Sequence, residues 1–412
     1  MRIGLVATRL SDVDGVSFEA IKWRQVLERL GHEVIGCAGQ IGPENGGRLI
    51  PQMHFTHPPA ARASEAAFNP ASDPAAVRRD IERLADELEG LLADWLREEQ
   101  PDLLIIQNAW AIPMQLPLGV ALARLVGRSG IPAIGHHHDY WWERDRFATC
   151  VVPEVLAEAF PPDLPSISHV SINSLAAGEL RSRRGLDSTV IPNVFDFDAQ
   201  IPAELHASAR ALRHELGVND GLLFMQPTRV VPRKGIELSI ELVARLGADN
   251  SVLLITSPAG DEGTAYLEDL ERMAERLGVD LRYLADRFRP DALVPRGPAH
   301  SLADAYLAAD VITYPSLYEG FGNALIESVY FRQLVVVNRY PVYEVDIGPL
   351  GFRFIEIDGK VSDEAVEELR AALAYPDRRA GDREHNFELA QRHFSYRRLE
   401  RELRGLIGAN GR

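Results

Sequence analysis

The sequence predicts an α/β protein built from two doubly wound parallel sheets, on three observations. Short apolar runs alternate with segments of helical period, the alternation breaks once near residue 190 and restarts, and 412 residues exceed what one ordinary core holds. In the first half, "RIGLVAT" reads as a strand. "VSFEAIKWRQVLERLGHEV" follows with Phe18, Ile21, Trp23, Val26, Leu27 and Leu30 on one broad face, giving strand, helix, strand. The pattern continues through a helix over about 75–98, the apolar run "DLLIIQN" (102–108), a helix near 116–128 and "IPAIGHHH" (131–138). Residues 51–76, rich in Ala and Pro and lacking either period, read as a loop or lid-like insertion.

The second half repeats the scheme with "GLLFMQPT" (221–228), a helix over about 235–247, "SVLLITS" (251–257), a helix over about 262–277, "LRYLA" (281–285), "DVITYPS" (310–316) and "LVVVN" (334–338). Between the halves, "VIPNVFDFD" (190–198) keeps no period and is the candidate linker. The last helical pattern, 385–407, could pack on either domain. Two Rossmann-like domains are expected to place the carboxyl ends of both sheets on either side of a cleft.

Composition narrows the function. The chain is 46% hydrophobic and 25% charged, as soluble globular proteins are. Its formal charge of −16 divides into −9 for residues 1–198 and −7 for 199–412. Both halves being acidic, nucleic acid and anionic membranes are disfavoured as partners, while a local basic pocket can still take a small phosphate. Cys37 and Cys150 lack metal or redox spacing and are expected as reduced thiols in a cytoplasmic protein. "MRIGLVATRL" reads as a first strand, not a signal peptide, and no stretch approaches the roughly 20 apolar residues of a membrane span.

The chemistry concentrates in two turns. "TYPSLYEGFGNALIESV" (313–329) runs from a strand through a glycine turn into a helix. Gly320 and Gly322 sit where backbone can approach a ligand, Asn323 can cap the new helix, and a helix start favours an anion. "PTRVVPRKG" (227–235) gathers Arg229, Arg233 and Lys234 at another strand-to-helix turn, cations suited to a diphosphate. "HHHD" (136–139) follows a strand; alternation sends neighbouring histidines to opposite faces, so the run is a poor chelate. In "DYWWERDRF" (139–147) aromatic rings stand beside Arg144 and Arg146, which suits a sugar face and an anion or, equally, packing and surface ion pairs. Asp12/Asp14 and Asp196/Asp198 form D-x-D strings, but they fall in the first loop and the linker, so no metal is expected.

These residues resemble a known family. "IPNVFDFD", "PTRVVPRKGIELSIELVARL", "LAAD", "YPSLYEGFGNALIES" and "RHFSYRRLERE" stand in the order used by retaining GT-B glycosyltransferases of family 4, the glycogen-synthase-like "group 1" enzymes. The likeness covers most of 190–402 and is looser in the first half, through "DGVSFEAIKWRQVLERLGHEV" and "IPAIGHHHD". It implies an acceptor domain over 1–190, a nucleotide-sugar domain over 191–385, and a C-terminal helix over 386–412 that crosses back to the first domain.

For the donor site, the resemblance implies that Glu319 orients sugar hydroxyls and that the backbone of Gly320, Phe321, Gly322, Asn323 and Ala324 lines the site. Glu327 would hold the ribose, and Arg229 and Lys234 the leaving diphosphate. Gly15 lies in a loop after the first strand where family backbone approaches the phosphate, here within "DVDGVS" in place of a double glycine. His138 best matches the histidine near the transferred sugar, with His136 aimed the same way by alternation; Lys22, Trp141, Arg144 and Arg146 are the remaining acceptor-side candidates. Residues 256–260 and 284–290 are positional candidates for base contacts.

The expected reaction is retaining, metal-independent transfer of a hexose from a nucleoside diphosphate sugar (UDP-, GDP- or ADP-linked) to a soluble, anionic small acceptor, with no cofactor. A lipid-linked or polysaccharide acceptor, a glycoside hydrolase using Glu319 and Glu327, and a non-catalytic nucleotide-sugar sensor are the alternatives.

Overall fold

The computed structural model describes residues 1–11, 14–42, 45–259, 264–289 and 300–410. Contacts divide the chain into two units, Met1–Val194 with Tyr396–Arg412, and Phe195–Ser395.

The first unit carries β1 (Arg2–Ala7), α1 (Gly15–Arg29), β2 (Glu33–Ala38), β3 (Arg48–Leu49), α2 (Pro58–Ala67), α3 (Pro74–Glu99), β4 (Leu103–Gln107), α4 (Leu116–Ser129), β5 (Ala133–His137), α5 (Pro153–Ala159), β6 (Ile167–Ser171), α6 (Ser174–Arg184) and β7 (Ser188–Val190). All seven strands are parallel, in the order β3-β2-β1-β4-β5-β6-β7, so the winding reverses between β1 and β4. Strand alternation supplies two apolar faces. Ile3, Leu5, Leu103 and Ile105 join the cluster under α1, while Val6, Leu104 and Ile106 join the one under α3 and α4.

The second unit carries α7 (Ala203–Glu215), β8 (Leu222–Gln226), α8 (Ile236–Leu246), β9 (Ser251–Ile255), α9 (Ala265–Leu277), β10 (Asp280–Tyr283), β11 (Phe288–Arg289), β12 (His300–Ser301), α10 (Leu302–Ala308), β13 (Val311–Tyr314), α11 (Asn323–Tyr330), β14 (Leu334–Asn338), β15 (Ile355–Ile357), α12 (Asp363–Ala374) and α13 (Pro376–His393). Six of its strands form a second parallel sheet, β10-β9-β8-β13-β14-β15, whose winding reverses between β8 and β13. Open parallel sheets bind ligands at such a reversal, outside the carboxyl ends of the strands.

Three expectations change. The insertion at 51–76 contains α2, which has Pro58 in its first turn and buries Ala60, Ala63, Ser64 and Ala67. That i, i+3, i+4, i+7 face is made of small residues, so it has helical period without the large apolar side chains that advertise it. The final helical pattern is two helices, broken at Phe394 and Ser395 before α14 (Tyr396–Asn410). Residues 386–395 accordingly stay with the second unit, and Tyr396 begins the segment grouped with the first. The two ends of the second unit pair with each other, for the Phe195 N–H donates to the Phe394 carbonyl at 2.8 Å. Third, Gly15 is not in a loop but in the first turn of α1, because Asp14 caps that helix by accepting from Val16 N and Ser17 N at 3.0 Å each.

Helix α14 completes the apolar layer on the α1 face. Tyr396, Leu399, Leu403 and Ile407 form one stripe among Ala20, Trp23, Val26 and Leu27, and the Tyr396 hydroxyl donates to Gln25 Oε1 at 2.9 Å. Leu403→Ala is therefore expected to lower stability by about 2–5 kcal/mol, measured by denaturant unfolding; a loss below 1 kcal/mol would mean the stripe contributes little to the core.

Candidate active site

The reversal in the second sheet joins two turns that are 85 residues apart in sequence. Strand β8 ends at Gln226 and runs into 227–235, and its neighbour β13 ends at Tyr314 and runs into 315–322. Gln226, fully buried, knits the strand ends: its Nε2 donates to Thr228 Oγ1 at 2.8 Å, and its Oε1 accepts from Ser239 at 2.7 Å and Thr313 at 3.0 Å. Backbone locks the turns together, Leu317 N donating to the Arg233 carbonyl at 2.9 Å and an Arg233 Nη to the Tyr318 carbonyl at 3.1 Å. Gly235 has φ +58, and a Cβ there would sit 2.5 Å from the Pro315 carbonyl oxygen, so only glycine permits this approach.

At the centre Lys234 Nζ bonds Glu319 Oε1, to which the Tyr314 hydroxyl also donates at 2.8 Å. Arg233 stands 3.7 Å from Glu319 Oε2. Lys234 and Glu319 are both buried, with 7% and 8% of their surface exposed, so each charge needs the other. Their titrations expose an imbalance. Burial pushes the Lys234 ammonium below its usual range and Glu319 pulls it back up, but Arg233 and Arg229 push it down again. Burial raises the Glu319 carboxyl, yet Lys234 and then Arg233 bring it below the ordinary value. One carboxylate thus faces three cations, and Arg229, exposed, makes no ion pair among the described residues. The turn carries surplus positive charge where the sheet reverses.

The glycine turn leads on to the second carboxylate. Gly322 has φ +127, a Cβ there would run into the Tyr340 hydroxyl, and that hydroxyl donates to the Phe321 carbonyl at 2.7 Å. The N-cap of α11 is Gly322, not Asn323 as expected: Asn323 already has helical backbone and occupies the first helical position, with Ala324 next. Glu327, one turn further along, accepts from the Tyr306 hydroxyl at 2.9 Å. Gly320 to Ala324 therefore form the bend between Glu319 and Glu327.

In the first unit the histidines divide by strand alternation. His136 Nδ1 donates to Gln107 Oε1 at 2.9 Å and its ring stacks on Trp23 at 4.1 Å. His138, on the same side, approaches the same oxygen at 3.4 Å and gives its backbone N–H to Asn108 Oδ1 at 2.9 Å. His137 turns the other way, to His169 Nδ1 at 3.0 Å; His169 Nε2 donates to the Pro162 carbonyl, so His137 Nε2 is the donor in the pair. His136 is wholly buried, whereas His138 keeps 8% of its surface. Burial pushes the His138 imidazole down to about 4, with Asp139 and Asp14 opposing and Lys22 adding to the shift. It is a neutral group at neutral pH.

The other acceptor-side candidates differ in what they have left to offer. Lys22 Nζ is held by Glu19 Oε1 and by the Val194 carbonyl at 2.6 Å. Trp141 gives its indole N–H to the Phe160 carbonyl at 3.1 Å, and Trp142 stacks on Tyr140 at 4.5 Å. Arg144 pairs with Asp139, Nε to Oδ2 at 2.8 Å, and Arg146 is exposed beside Phe147. Gly15 contributes to an N-terminus whose Val16 and Ser17 N–H groups are taken by Asp14, itself paired with Arg9 at 2.7 Å. Asp12, and residues 260 and 290 of the stretches named for base contacts, lie outside the described residues. Among the described residues no group of three or more His, Cys, Asp or Glu could hold a metal ion, and no helix is long and apolar enough to cross a membrane.

Sequence reasoning missed Tyr314, Tyr306, Gln226, Gln107 and Asn108, the groups that hold the candidates in place. Tyr314 and Gln226 carried a signal: each is a polar-tipped residue closing an apolar strand just before a turn.

Two doubly wound domains, one with cations gathered around a carboxylate at its reversal, place an anion-binding site at the carboxyl edge of a parallel sheet. Residues 210–385 match the family described as glycosyl transferases group 1. The chain is 33% identical to the mannosylglucosylglycerate synthase of Thermotoga maritima over 97% of its own length and 98% of that protein's, and 34% identical to that of Petrotoga mobilis over 88% of each. Among solved structures, the Anabaena protein HepE in complex with UDP and glucose shares the fold, with TM-score 0.69 at 14% identity over 99% of this chain and 100% of that one. The chain belongs to the group 1 glycosyltransferases.

Two outcomes are expected. Glu319→Gln strands a buried ammonium beside two arginines and should cost about 3–5 kcal/mol of stability. Because the folded Glu319 carboxyl lies below its ordinary value of 4.5, its stabilising share is present above that pH and lost as pH falls through the lowered value. The variant should lack this acid-side fall; thermal melts against pH compare the two, and an equal fall in both would contradict the pairing. The His136, His137 and His138 rings should show no NMR titration between about pH 5.5 and 8, and a midpoint inside that window for any of them would contradict their buried, neutral state.

Proposed function

We propose that this glycosyltransferase moves a mannosyl group from a nucleoside diphosphate sugar to a hydroxyl of glucosylglycerate, with retention of anomeric configuration and without a metal or other cofactor, in the cytoplasm. The acceptor follows from near full-length likeness to two mannosylglucosylglycerate synthases. The observation that carries the donor class is the surplus positive charge of Arg229, Arg233 and Lys234 around Glu319 at the sheet reversal. A nucleoside diphosphate fits that charge, and the departing phosphate gains negative charge just where the cations can neutralise it.

In this reading Lys234 and Arg229 bind the diphosphate. Glu319, with Oε1 bonded to Lys234 and Tyr314, presents Oε2 to a sugar hydroxyl, and Glu327, oriented by Tyr306, takes the ribose hydroxyls. The backbone of Gly320, Phe321, Gly322, Asn323 and Ala324 bends around the ligand between these two carboxylates. His138, neutral, serves as a hydrogen-bonding group to the transferred sugar, not as a proton source. The bond from anomeric carbon to phosphate oxygen breaks, the bond to the acceptor oxygen forms on the same face, and the acceptor proton passes to the departing phosphate. No protein nucleophile is required.

The test begins with thermal shifts against UDP-, GDP- and ADP-linked sugars, since a ligand that binds the native state raises its melting point. Transfer to glucosylglycerate is then followed by mass and by anomeric NMR. In protein whose melting curve shows it folded, since Lys234→Ala also leaves Glu319 buried without its ammonium, Lys234→Ala and Arg229→Ala should each lower kcat by about 10²–10³, whereas Glu327→Gln should chiefly weaken nucleotide binding. Unchanged kinetics in all three variants would defeat the donor assignment; an active enzyme that ignores glucosylglycerate would defeat the acceptor assignment alone.

A further inference from the structure

The segment after β5 holds two arginines that differ in one respect. Arg144 is neutralised: Asp139 Oδ2 accepts from its Nε at 2.8 Å, and the other Asp139 oxygen accepts from Asn108 Nδ2 at 3.2 Å. Asn108 in turn receives the His138 backbone N–H at 2.9 Å, so this carboxylate is built into the framework that holds His138. Arg146 has no such partner. It is exposed, lies 4.5 Å over the Phe147 ring, and makes no ion pair or hydrogen bond among the described residues. Neighbouring arginines of the same unit are engaged, Arg183 with Glu179 at 3.1 Å and Arg184 with four backbone carbonyls of 156–161.

An exposed guanidinium is solvated at little cost, so the lack of a protein partner leaves Arg146 able to take an anionic ligand. Burial lowers Arg146 from its usual range, the Arg144 charge lowers it further, and Asp139 only partly opposes. Phe147, buried and packed edge-on against Phe68 at 4.8 Å, fixes the ring on which Arg146 rests. The result is one positive charge, presented on a firm base, seven residues beyond Asp139 in the Asn108–His138–Asp139 framework that follows β5.

We propose that Arg146 binds the carboxylate of the acceptor's glycerate unit and sets the enzyme's selectivity for an anionic acceptor. The inference rests on the acceptor reading above. One uncompensated guanidinium, with a planar fork, matches the single charge and planar oxygens of a carboxylate; a dianionic phosphate would leave a charge unanswered. Arg144, spent on Asp139, is not the selecting residue.

The test uses the full chain with nucleoside diphosphate present. Glucosylglycerate, its carboxylate-free counterpart glucosylglycerol, and glucose 6-phosphate are titrated calorimetrically into wild type, Arg146→Met and Arg146→Lys; kcat/KM is measured for the same acceptors, and melting curves check that the variants fold. Wild type should prefer glucosylglycerate over glucosylglycerol, and Arg146→Met should cut that ratio by about 10–100-fold, with Arg146→Lys restoring part of it.

An unchanged ratio in folded Arg146→Met overturns the proposal, as does a wild type that prefers glucose 6-phosphate or does not discriminate. Selective binding that is lost in Arg146→Met, without transfer to glucosylglycerate, supports the carboxylate site and removes the acceptor reading. Transfer to glucosylglycerate with an undisturbed ratio does the reverse.

Discussion

The second unit depends on one buried ion pair, Lys234 with Glu319. A lysine ammonium taken out of water is tolerated only against an opposite charge with its remaining hydrogen bonds met, and that condition dictates the surroundings. The carboxylate must arrive from the neighbouring strand, so β8 and β13 must be adjacent and in register, as the Met225–Ile312 pairing makes them. The two turns must approach closely, which Gly235 permits. Tyr314 must supply a further donor to the carboxylate, and Gln226 must hold the strand ends at fixed height. Sheet order, glycine placement and side-chain network together accommodate that one buried ammonium.

The two units handle the end of their first βα turn differently. In the second, three cations follow β8 and, among the described residues, one carboxylate answers them. In the first, Asp14 takes the Val16 and Ser17 N–H groups at the start of α1 and Arg9 pairs with Asp14, so among the described residues of that turn the one cation and the one carboxylate answer each other. A helix start whose N–H groups already bind a carboxylate offers little to a phosphate. The same architecture, used twice, thus gathers cations in one copy and caps its helix with a carboxylate in the other, and the acidic balance of both halves conceals this difference.

The strands and most helices were legible because their periods are carried by large apolar residues, as in "DLLIIQN" and "LVVVN". Lys234, Arg233 and Glu319 were legible as a set because each stands in a turn directly after an apolar run, and adjacent strands bring such turns together. Helix α2 was not, since it packs through alanine and serine, whose burial is a property of the partner surface. The break at Phe394–Ser395 was hidden because the residues on either side continue a helical pattern; what interrupts it is the pairing with Phe195, nearly two hundred residues away. The cap at Asp14 was visible as a residue type but not as a commitment, and Tyr306 and Tyr314 find their carboxylates only in three dimensions.

Helix α14 has a consequence for the order in which the protein comes into being. The layer over α1 is closed by Leu399, Leu403 and Ile407, which follow the whole 195–395 unit in sequence. The 195–395 unit is continuous in sequence and can fold while synthesis proceeds. The first unit must wait, with Trp23 and Val26 uncovered, until residues 396–407 have been made. During that interval its apolar surface is open to chaperones and to self-association, so a continuous unit can be complete while a discontinuous one still lacks its last layer.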